Sequence, residues 1–97
     1  MRIVKEALAG TLESSDLLVK VAPGGGSLEV VINSEVMRQF GIQIRKVVDE
    51  TLHKLGITDG IIVVEDKGAL DCAIRARLQA AVLRGAECQD LDWSALS

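Results

Sequence analysis

Two adjacent serines, Ser14 and Ser15, are the residues whose type and setting could support chemistry. They lie in the segment GTLESSD, residues 10–16, between the acids Glu13 and Asp16. The segment has no histidine, lysine–serine pair or glycine elbow that could activate a hydroxyl as a nucleophile. Two interpretations remain open. The segment is either a polar turn, since serine and aspartate favour turns, or an exposed hydroxyl that a separate enzyme modifies.

Arg77 is the second candidate, because its charged side chain falls on an apolar helical stripe. At about 100° per residue, it lies among small and aliphatic residues of the last helical segment: Leu70, Ala73, Ile74, Ala80 and Ala81. One interpretation places the stem across the alanines and the guanidinium in water. In the other, the guanidinium forms an ion pair with a carboxylate from the sheet or binds a phosphate, and it can hold either in a bidentate manner.

Three further reactive side chains are explained by ordinary structure. Lys67, in the segment EDKGA, is similar to the modified lysine of lipoyl and biotinyl domains, but those are all-β and this chain continues into a helical segment. Cys72 lies in the predicted first turn of that helix, with no histidine nearby in sequence to activate its thiol. His53 falls on the solvent side of the first helix. Together with Cys88, these residues form no zinc-binding pattern.

The composition favours one small globular domain without nucleic-acid or membrane contacts. The chain has 97 residues, 48% of them apolar, and a net charge of −3. Phe40 and Trp93 are the only aromatic residues, too few for base stacking, and the negative charge disfavours phosphate backbones. The apolar runs are far shorter than a membrane span. We expect a cytoplasmic protein with reduced thiols and a single domain over 1–97, with residues 87–97 as a frayed or docked tail.

The hydrophobic pattern predicts three short strands, a helix, a fourth strand and a second helix. Residues 7–12, 17–22 and 28–32 are the predicted strands, separated by the serine segment and by the glycine run PGGGS. The period then changes to three and four, giving an apolar stripe made of Met37, Phe40, Ile44, Val47, Val48, Thr51 and Leu55. Neither helix could bury its stripe alone. We therefore predict an α+β fold, a mostly antiparallel sheet of about four strands with two helices packed on one face.

Capping and turn residues set the predicted ends of these elements. Ser34 is a candidate N-cap of the first helix, and Gly56 is its expected C-terminal stop. The aliphatic run at 61–64 is bounded by turn residues and acids, which predicts a central strand buried on both faces. The second helix is predicted from Ala69 to Arg84, after a cap at Asp66 and before a stop at Gly85.

Three segments, in order, resemble the acyl carrier protein, or γ subunit, of citrate lyase. The segments are GTLESSD at 10–16, INSEV at 32–36 followed by QFG at 39–41, and DKGALDCAIRARLQAA at 66–81. The match runs from Ile3 to about Leu83 and leaves out the glycine run and the tail. Each segment alone is suggestive, and the set is specific.

The resemblance implies a carrier that is not itself an enzyme. In this family a serine holds 2'-(5''-phosphoribosyl)-3'-dephospho-coenzyme A through a phosphodiester, and the thiol of this arm carries acetyl and citryl thioesters while citrate is cleaved to acetate and oxaloacetate. The attachment serine is the first after the glutamate, which is Ser14 here. The second position tolerates glycine, so Ser15 is expected to stay unmodified. Glu13 and Asp16 are expected to cap the amides of the turn or to be recognised by the modifying enzyme.

The same resemblance implies a set of partners. They are the α (acyl transferase) and β (lyase) subunits of citrate lyase, a holo-carrier synthase that installs the arm, and an acetate-activating ligase. No metal, nucleic acid or membrane is expected. Two alternatives stay open, namely the acyl carrier subunit of malonate decarboxylase, which uses a similar arm, and an unmodified small scaffolding domain. A fatty-acid carrier is disfavoured, because that class is a helical bundle whose serine begins a helix.

Overall fold

The chain folds into a four-stranded sheet and two helices. The computed structural model describes residues 2–34 and 37–86, with the side chains of 37–40 excluded. The elements in chain order are β1 (Ala7–Gly10), β2 (Leu17–Ala22), β3 (Leu28–Ser34), α1 (Met37–Leu55), β4 (Gly60–Asp66) and α2 (Asp71–Ala86). The predicted α+β class and the predicted order of elements are confirmed. The predicted tail, 87–97, lies outside the described residues.

The sheet is mixed, with the strand order β1-β2-β4-β3. The pairs β1–β2 and β2–β4 are antiparallel, whereas β3 and β4 run parallel, with Val31 opposite Val63. A parallel pair needs a long crossover connection, and α1 supplies it. The sheet is therefore mostly antiparallel, as predicted, with one parallel pair that the sequence pattern did not indicate.

One face of the sheet carries the core. Side chains of a strand alternate between the two faces, and the register places Val19, Val64 and Ile32 side by side on the covered face. Both helices contribute to the same core cluster. The buried residues of α1 are Ile44, Val47, Val48, Leu52 and Leu55, and those of α2 are Ile74, Leu78, Ala81 and Val82. The predicted stripe of α1 is confirmed from Ile44 onwards. The side chains of Met37 and Phe40 lie outside the described residues.

The strand β4 is central, as predicted, but it is not buried on both faces. Ile62 and Val64 are fully buried under the helices, while Ile61 and Val63 are half-buried on the open face. This part of the prediction was wrong, because both helices cover the same face. A short aliphatic run does not distinguish these two environments.

The predicted N-cap of α1 at Ser34 depends on residues 35–36, which lie outside the described residues, so it stays a prediction. Ser34 is the last residue of β3, and its hydroxyl donates a hydrogen bond to Asp66 Oδ2 at 2.8 Å. The strand continues two residues beyond the predicted end because it pairs with β4 along its whole length. In contrast, β1 ends at Gly10, two residues before the predicted end.

The ends of the two helices differ in how well they were predicted. Gly56 is confirmed as the stop of α1, with a φ of 69° and the paired hydrogen bonds of a Schellman motif from Gly56 N to His53 O and from Ile57 N to Leu52 O. Asp66 caps the turn before α2 instead of the helix itself, accepting hydrogen bonds from the backbone amides of Gly68 and Ala69.

Gly85 is not a helix stop. It lies buried within α2, and its carbonyl oxygen accepts hydrogen bonds from the backbone amides of Val4 and Lys5 at 3.0 and 3.1 Å. A Cβ on Gly85 would come within 2.6 Å of Val21 Cγ2. The glycine thus allows the first residues of the chain to pass close to the helix. Among the described residues, no helix is long and apolar enough to cross a membrane.

Candidate functional site

Ser14 and Ser15 are the two central residues of a tight turn between β1 and β2. The amide of Asp16 donates to the Glu13 carbonyl at 3.2 Å, which closes the turn. Ser15 has a φ of 65°, and Ser14 has no positive φ. Of the common turn types, this pattern matches type II, whose third residue favours glycine. The backbone therefore gives a physical reason why the second serine position would accept glycine.

Two backbone hydrogen bonds attach this turn to the end of the central strand. Ser15 N donates to Lys67 O at 2.8 Å, and Lys67 N donates to Asp16 O at 2.9 Å. They extend the β2–β4 ladder by one residue pair beyond Leu17 and Asp66. As a result the serine turn is anchored to the sheet, although it has the composition of a loose loop.

The carboxylate of Asp16 holds the inside of the turn together. It accepts hydrogen bonds from Thr11 Oγ1 at 2.7 Å and from Leu17 N at 2.8 Å. Thr11 Oγ1 in turn accepts a hydrogen bond from Glu13 N at 3.3 Å. The hydrogen bond from Thr11 is the largest effect lowering the pKa of Asp16, followed by the Leu17 amide and then Arg77, while partial burial opposes them. Asp16 is therefore ionised at neutral pH.

Arg77 reaches this carboxylate from α2. Its Nη2 lies 3.2 Å from Asp16 Oδ2 and its Nε lies 3.4 Å from Oδ1, with 43% of the arginine side chain and 20% of the aspartate side chain exposed. Gly10 makes room for the arginine stem, because a Cβ there would lie 3.3 Å from Arg77 Cδ and would overlap the Leu17 carbonyl. Arg84, seven residues further along α2, donates to Leu8 O at 2.8 Å.

The arrangement offers an anchor and no catalyst. Ser14 is exposed, and within the described part of the chain its hydroxyl has no hydrogen-bond partner. A group can therefore be attached to Ser14 Oγ without displacing packed atoms, so the site fits a covalent prosthetic group. His53 and Cys72 are both exposed on the helices. In residues 2–34 and 37–86, no cluster of three or more potential ligands could hold a metal ion.

The sequence brought Ser14 and Arg77 to attention but did not connect them. The turn that carries Ser14 and the helix that carries Arg77 are joined by Asp16. This residue was expected only to cap turn amides or to be recognised by another protein. The role of Lys67 was missed, because its contribution to the turn comes from its peptide group and not from its ammonium group. The available signal was positional, since Lys67 directly follows the strand that pairs with β2.

Comparison with known proteins supplies the family. Over its full length the chain is 69% identical to the citrate lyase acyl carrier protein of Enterobacter sp. strain 638, with all of both chains covered. It is 67% identical to the protein of the same name from Pectobacterium carotovorum, covering 99% of this chain and 100% of the relative. The corresponding protein of Vibrio cholerae is 52% identical, with both chains fully covered.

The chain belongs to the citrate lyase acyl carrier protein family. A broader protein-family model, with the short name ACP and the description malonate decarboxylase delta subunit (MdcD), matches residues 4–85. The chain is thus also similar to a family that is described as a subunit of a second enzyme. Both descriptions are consistent with a serine turn that presents a hydroxyl and lacks a catalytic base.

Proposed function

We propose that this protein is the acyl carrier subunit of citrate lyase, with the prosthetic arm joined to Ser14. The full-length identity to proteins of that name supports the role of carrier. The hydroxyl of Ser14, exposed on an anchored turn and without a hydrogen-bond partner among the described residues, is the observation that supports the position of attachment. As a carrier, the chain contributes no catalytic group.

The proposed arm is 2'-(5''-phosphoribosyl)-3'-dephospho-coenzyme A, bound through a phosphodiester to Ser14 Oγ. When bound, this group supplies a thiol that carries acyl groups as thioesters. The protein holds the attachment point in a defined place, since Ser15 and Asp16 are fixed to Lys67 by backbone hydrogen bonds. Such a tether makes later encounters with the thiol effectively intramolecular, with a concentration set by arm length.

The proposed partners follow from this role. A carrier in citrate lyase must meet the acyl transferase (α) and lyase (β) subunits, and its arm must be installed by a holo-carrier synthase and acetylated by an acetate-activating ligase. We place these encounters in the cytoplasm, where the exposed thiol of Cys72 stays reduced. Ser14 lies at the end of the domain where the chain passes from β1 to β2, so a partner can approach it without moving the core.

The experiment is an intact-mass measurement after co-expression with the enzymes that build and transfer the arm. We expect the wild-type chain to gain the mass of one arm and Ser14→Ala to gain none. Ser15→Gly is the matched control, because glycine fits the positive φ at that position, and it should gain one arm. Modification of Ser14→Ala, or failure of Ser15→Gly alone, would place the attachment elsewhere.

The carrier of malonate decarboxylase is a second candidate, favoured by the description of the broader family. Reconstitution separates the two. The modified protein should restore activity to citrate lyase α and β subunits that lack a carrier. It should not restore malonate decarboxylase that lacks its delta subunit. Restoration of malonate decarboxylase alone would reverse the assignment.

A further inference from the structure

A cleft lies between the beginning of α2 and the middle of α1, next to the attachment turn. Its volume is about 650 Å³, and its described lining includes Ile44 on α1 and Ala69, Leu70 and Arg75 around the start of α2. The volume falls within the range of roughly 300–1,000 Å³ that is usual for small-molecule sites. The described lining combines aliphatic side chains with one cation, Arg75, and one carboxylate, Asp71, which accepts a hydrogen bond from Gln43. It suits a flat apolar ligand whose negative charge lies on the Arg75 side.

The cleft is close to Ser14 because the chain connects them directly. Ser15 N is 2.8 Å from Lys67 O, and the next residue, Gly68, already lines the cleft. Leu70 is three residues from Lys67, and a residue spans at most about 3.6 Å. Leu70 at the edge of the cleft therefore lies within about 18 Å of Ser14.

The rim of the cleft carries an exposed apolar side chain. Leu70, which lines the cleft, is 74% exposed. Across the opening, Gln43 Nε2 donates to Asp71 Oδ2 at 2.9 Å, which links the two helices. Arg75 is exposed at the same opening and is available to a phosphate or to the face of an aromatic ring.

We infer that this cleft binds the adenine nucleoside of the arm attached to Ser14, an inference that rests on the proposed function. In the proposed arm the adenosine is joined directly to the phosphoribosyl group on the serine, so it is the first flat apolar group along the tether. The aliphatic lining faces the purine, and Arg75 binds the adjoining phosphates. The pantetheine portion, which is narrower and bears polar amides, extends beyond the cleft and keeps its thiol accessible.

The tether lets a weak site suffice. A group held by a short flexible linker has an effective concentration in the millimolar range, so a site with a millimolar dissociation constant for the free nucleotide is about half occupied when the arm is attached. Binding of the nucleoside moves the pivot of the mobile arm from Ser14 to the cleft. It thereby restricts the region that the thiol can reach.

The first test uses the unmodified, ¹⁵N-labelled full chain and dephospho-coenzyme A, with pantetheine as the matched probe that lacks the nucleotide. We expect dephospho-coenzyme A to shift the amide resonances of Gly68, Cys72 and the Gln43 side chain, and to saturate in the millimolar range. Pantetheine should leave them unchanged. Equal shifts with both probes, or no shifts at about 10 mM nucleotide, several times the expected effective concentration, would overturn the inference.

Matched variants locate the binding. Leu70→Ser and Arg75→Ala should each lower the affinity for dephospho-coenzyme A by about fivefold or more. Two variants serve as controls. Leu8→Ser replaces another exposed leucine, on the open face of the sheet, and Arg45→Ala removes an exposed arginine that pairs with Asp49. Both variants should bind dephospho-coenzyme A with the affinity of the wild type. Weakening by the two controls as well, or by neither member of the first pair, would contradict a site in this cleft.

The modified protein gives an independent readout through Cys72, which lines the cleft and is exposed. In a Cys88→Ser background, alkylation of Cys72, mapped by peptide mass, should be slower in the modified than in the unmodified chain. Equal rates would contradict binding of the arm. If removing residues 87–97 from the unmodified chain shifts the same resonances as the nucleotide, the chain's own tail is the occupant and the inference fails. Absence of the arm mass would instead reject the proposed function.

Discussion

The guanidinium of Arg77 and the carboxylate of Asp16 join two elements 61 residues apart, with Nη2 and Oδ2 separated by 3.2 Å. The same carboxylate binds Thr11 Oγ1 and the Leu17 amide. One aspartate therefore connects the serine turn, the start of β2 and the middle of α2. The turn that presents Ser14 depends on the position of a helix distant in sequence.

Replacing Arg77 with alanine should loosen the turn without unfolding the domain. The arginine is 43% exposed, and the core does not depend on it. We expect faster hydrogen exchange at the Ser15 and Asp16 amides and transfer of the arm to Ser14 slowed by about tenfold or more, because misplacement of a reacting group is costly. Arg75→Ala is the control for exchange. A transfer rate equal to that of the wild type would mean that the ion pair with Asp16 does not position Ser14.

Acid should release the same contacts. The pKa of Asp16 is lower in the folded chain than in the unfolded chain, so its contribution to stability is present above the ordinary value near 3.9 and is lost as the pH falls through the folded value. Carboxyl ¹³C titration by NMR should give a midpoint below about 3.9. Thr11→Val should raise it more than Arg77→Ala, since the hydrogen bond from Thr11 is the largest cause. The opposite ranking would contradict this order of effects.

Ser15 should tolerate glycine better than valine. Any Cβ at a φ of 65° costs about 1–2 kcal/mol, a cost that serine already bears and that glycine avoids. Valine adds the crowding of its second γ carbon, so chemical denaturation should show a further loss for Ser15→Val. It should show a change within about 1 kcal/mol for Ser15→Gly. Ser14→Val, at the exposed neighbour without a positive φ, should be close to neutral; an equal loss there would point to a general effect of valine in this loop.

Gly85→Ala should destabilise the domain although alanine is the better helix former. The added methyl group would meet Val21 Cγ2 at 2.6 Å and Ile3 Cγ2 at 3.2 Å, and overpacking typically costs 1–3 kcal/mol. The helix propensity of alanine offsets only about 1 kcal/mol of this. Urea denaturation should therefore give a lower midpoint with an unchanged slope. Gly25→Ala, where no atom lies within 4 Å of the new group, should leave the midpoint almost unchanged.

The sequence predicted the elements well because their patterns are local. The strands, the α1 stripe and the Gly56 stop each depend on residues within one or two turns of the chain. The errors arose where a distant partner determines the role of a residue. The aliphatic run at 61–64 has the composition of a strand buried on both faces, but both helices cover the same face of the sheet. Gly85 resembles a helix stop, but its carbonyl binds the beginning of the chain.

The candidate site was predicted in part for the same reason. Ser14 could be chosen from the serine segment and its resemblance to a known family. The ion pair to Arg77 required the packing of α2 against β1 and β2, and the anchoring of the turn required the order of strands in the sheet. The β2–β4 pairing and the contacts of Lys67 are backbone hydrogen bonds. They do not depend on particular side chains, so no sequence motif could indicate them.

The hydrogen bonds from Val4 and Lys5 to the Gly85 carbonyl determine where labels or fusion partners can be attached to this domain. They bring the start of β1 beside the last turns of α2, while the serine turn follows the opposite end of β1. Gly85 lies eight residues beyond Arg77, which contacts Asp16 of the serine turn, so α2 rises by about 12 Å between these two ends. A fluorophore, a surface linker or a second protein domain attached near Gly85 would not cover the serine turn. The carrier can therefore be immobilised or fused to another protein while its arm remains free to move.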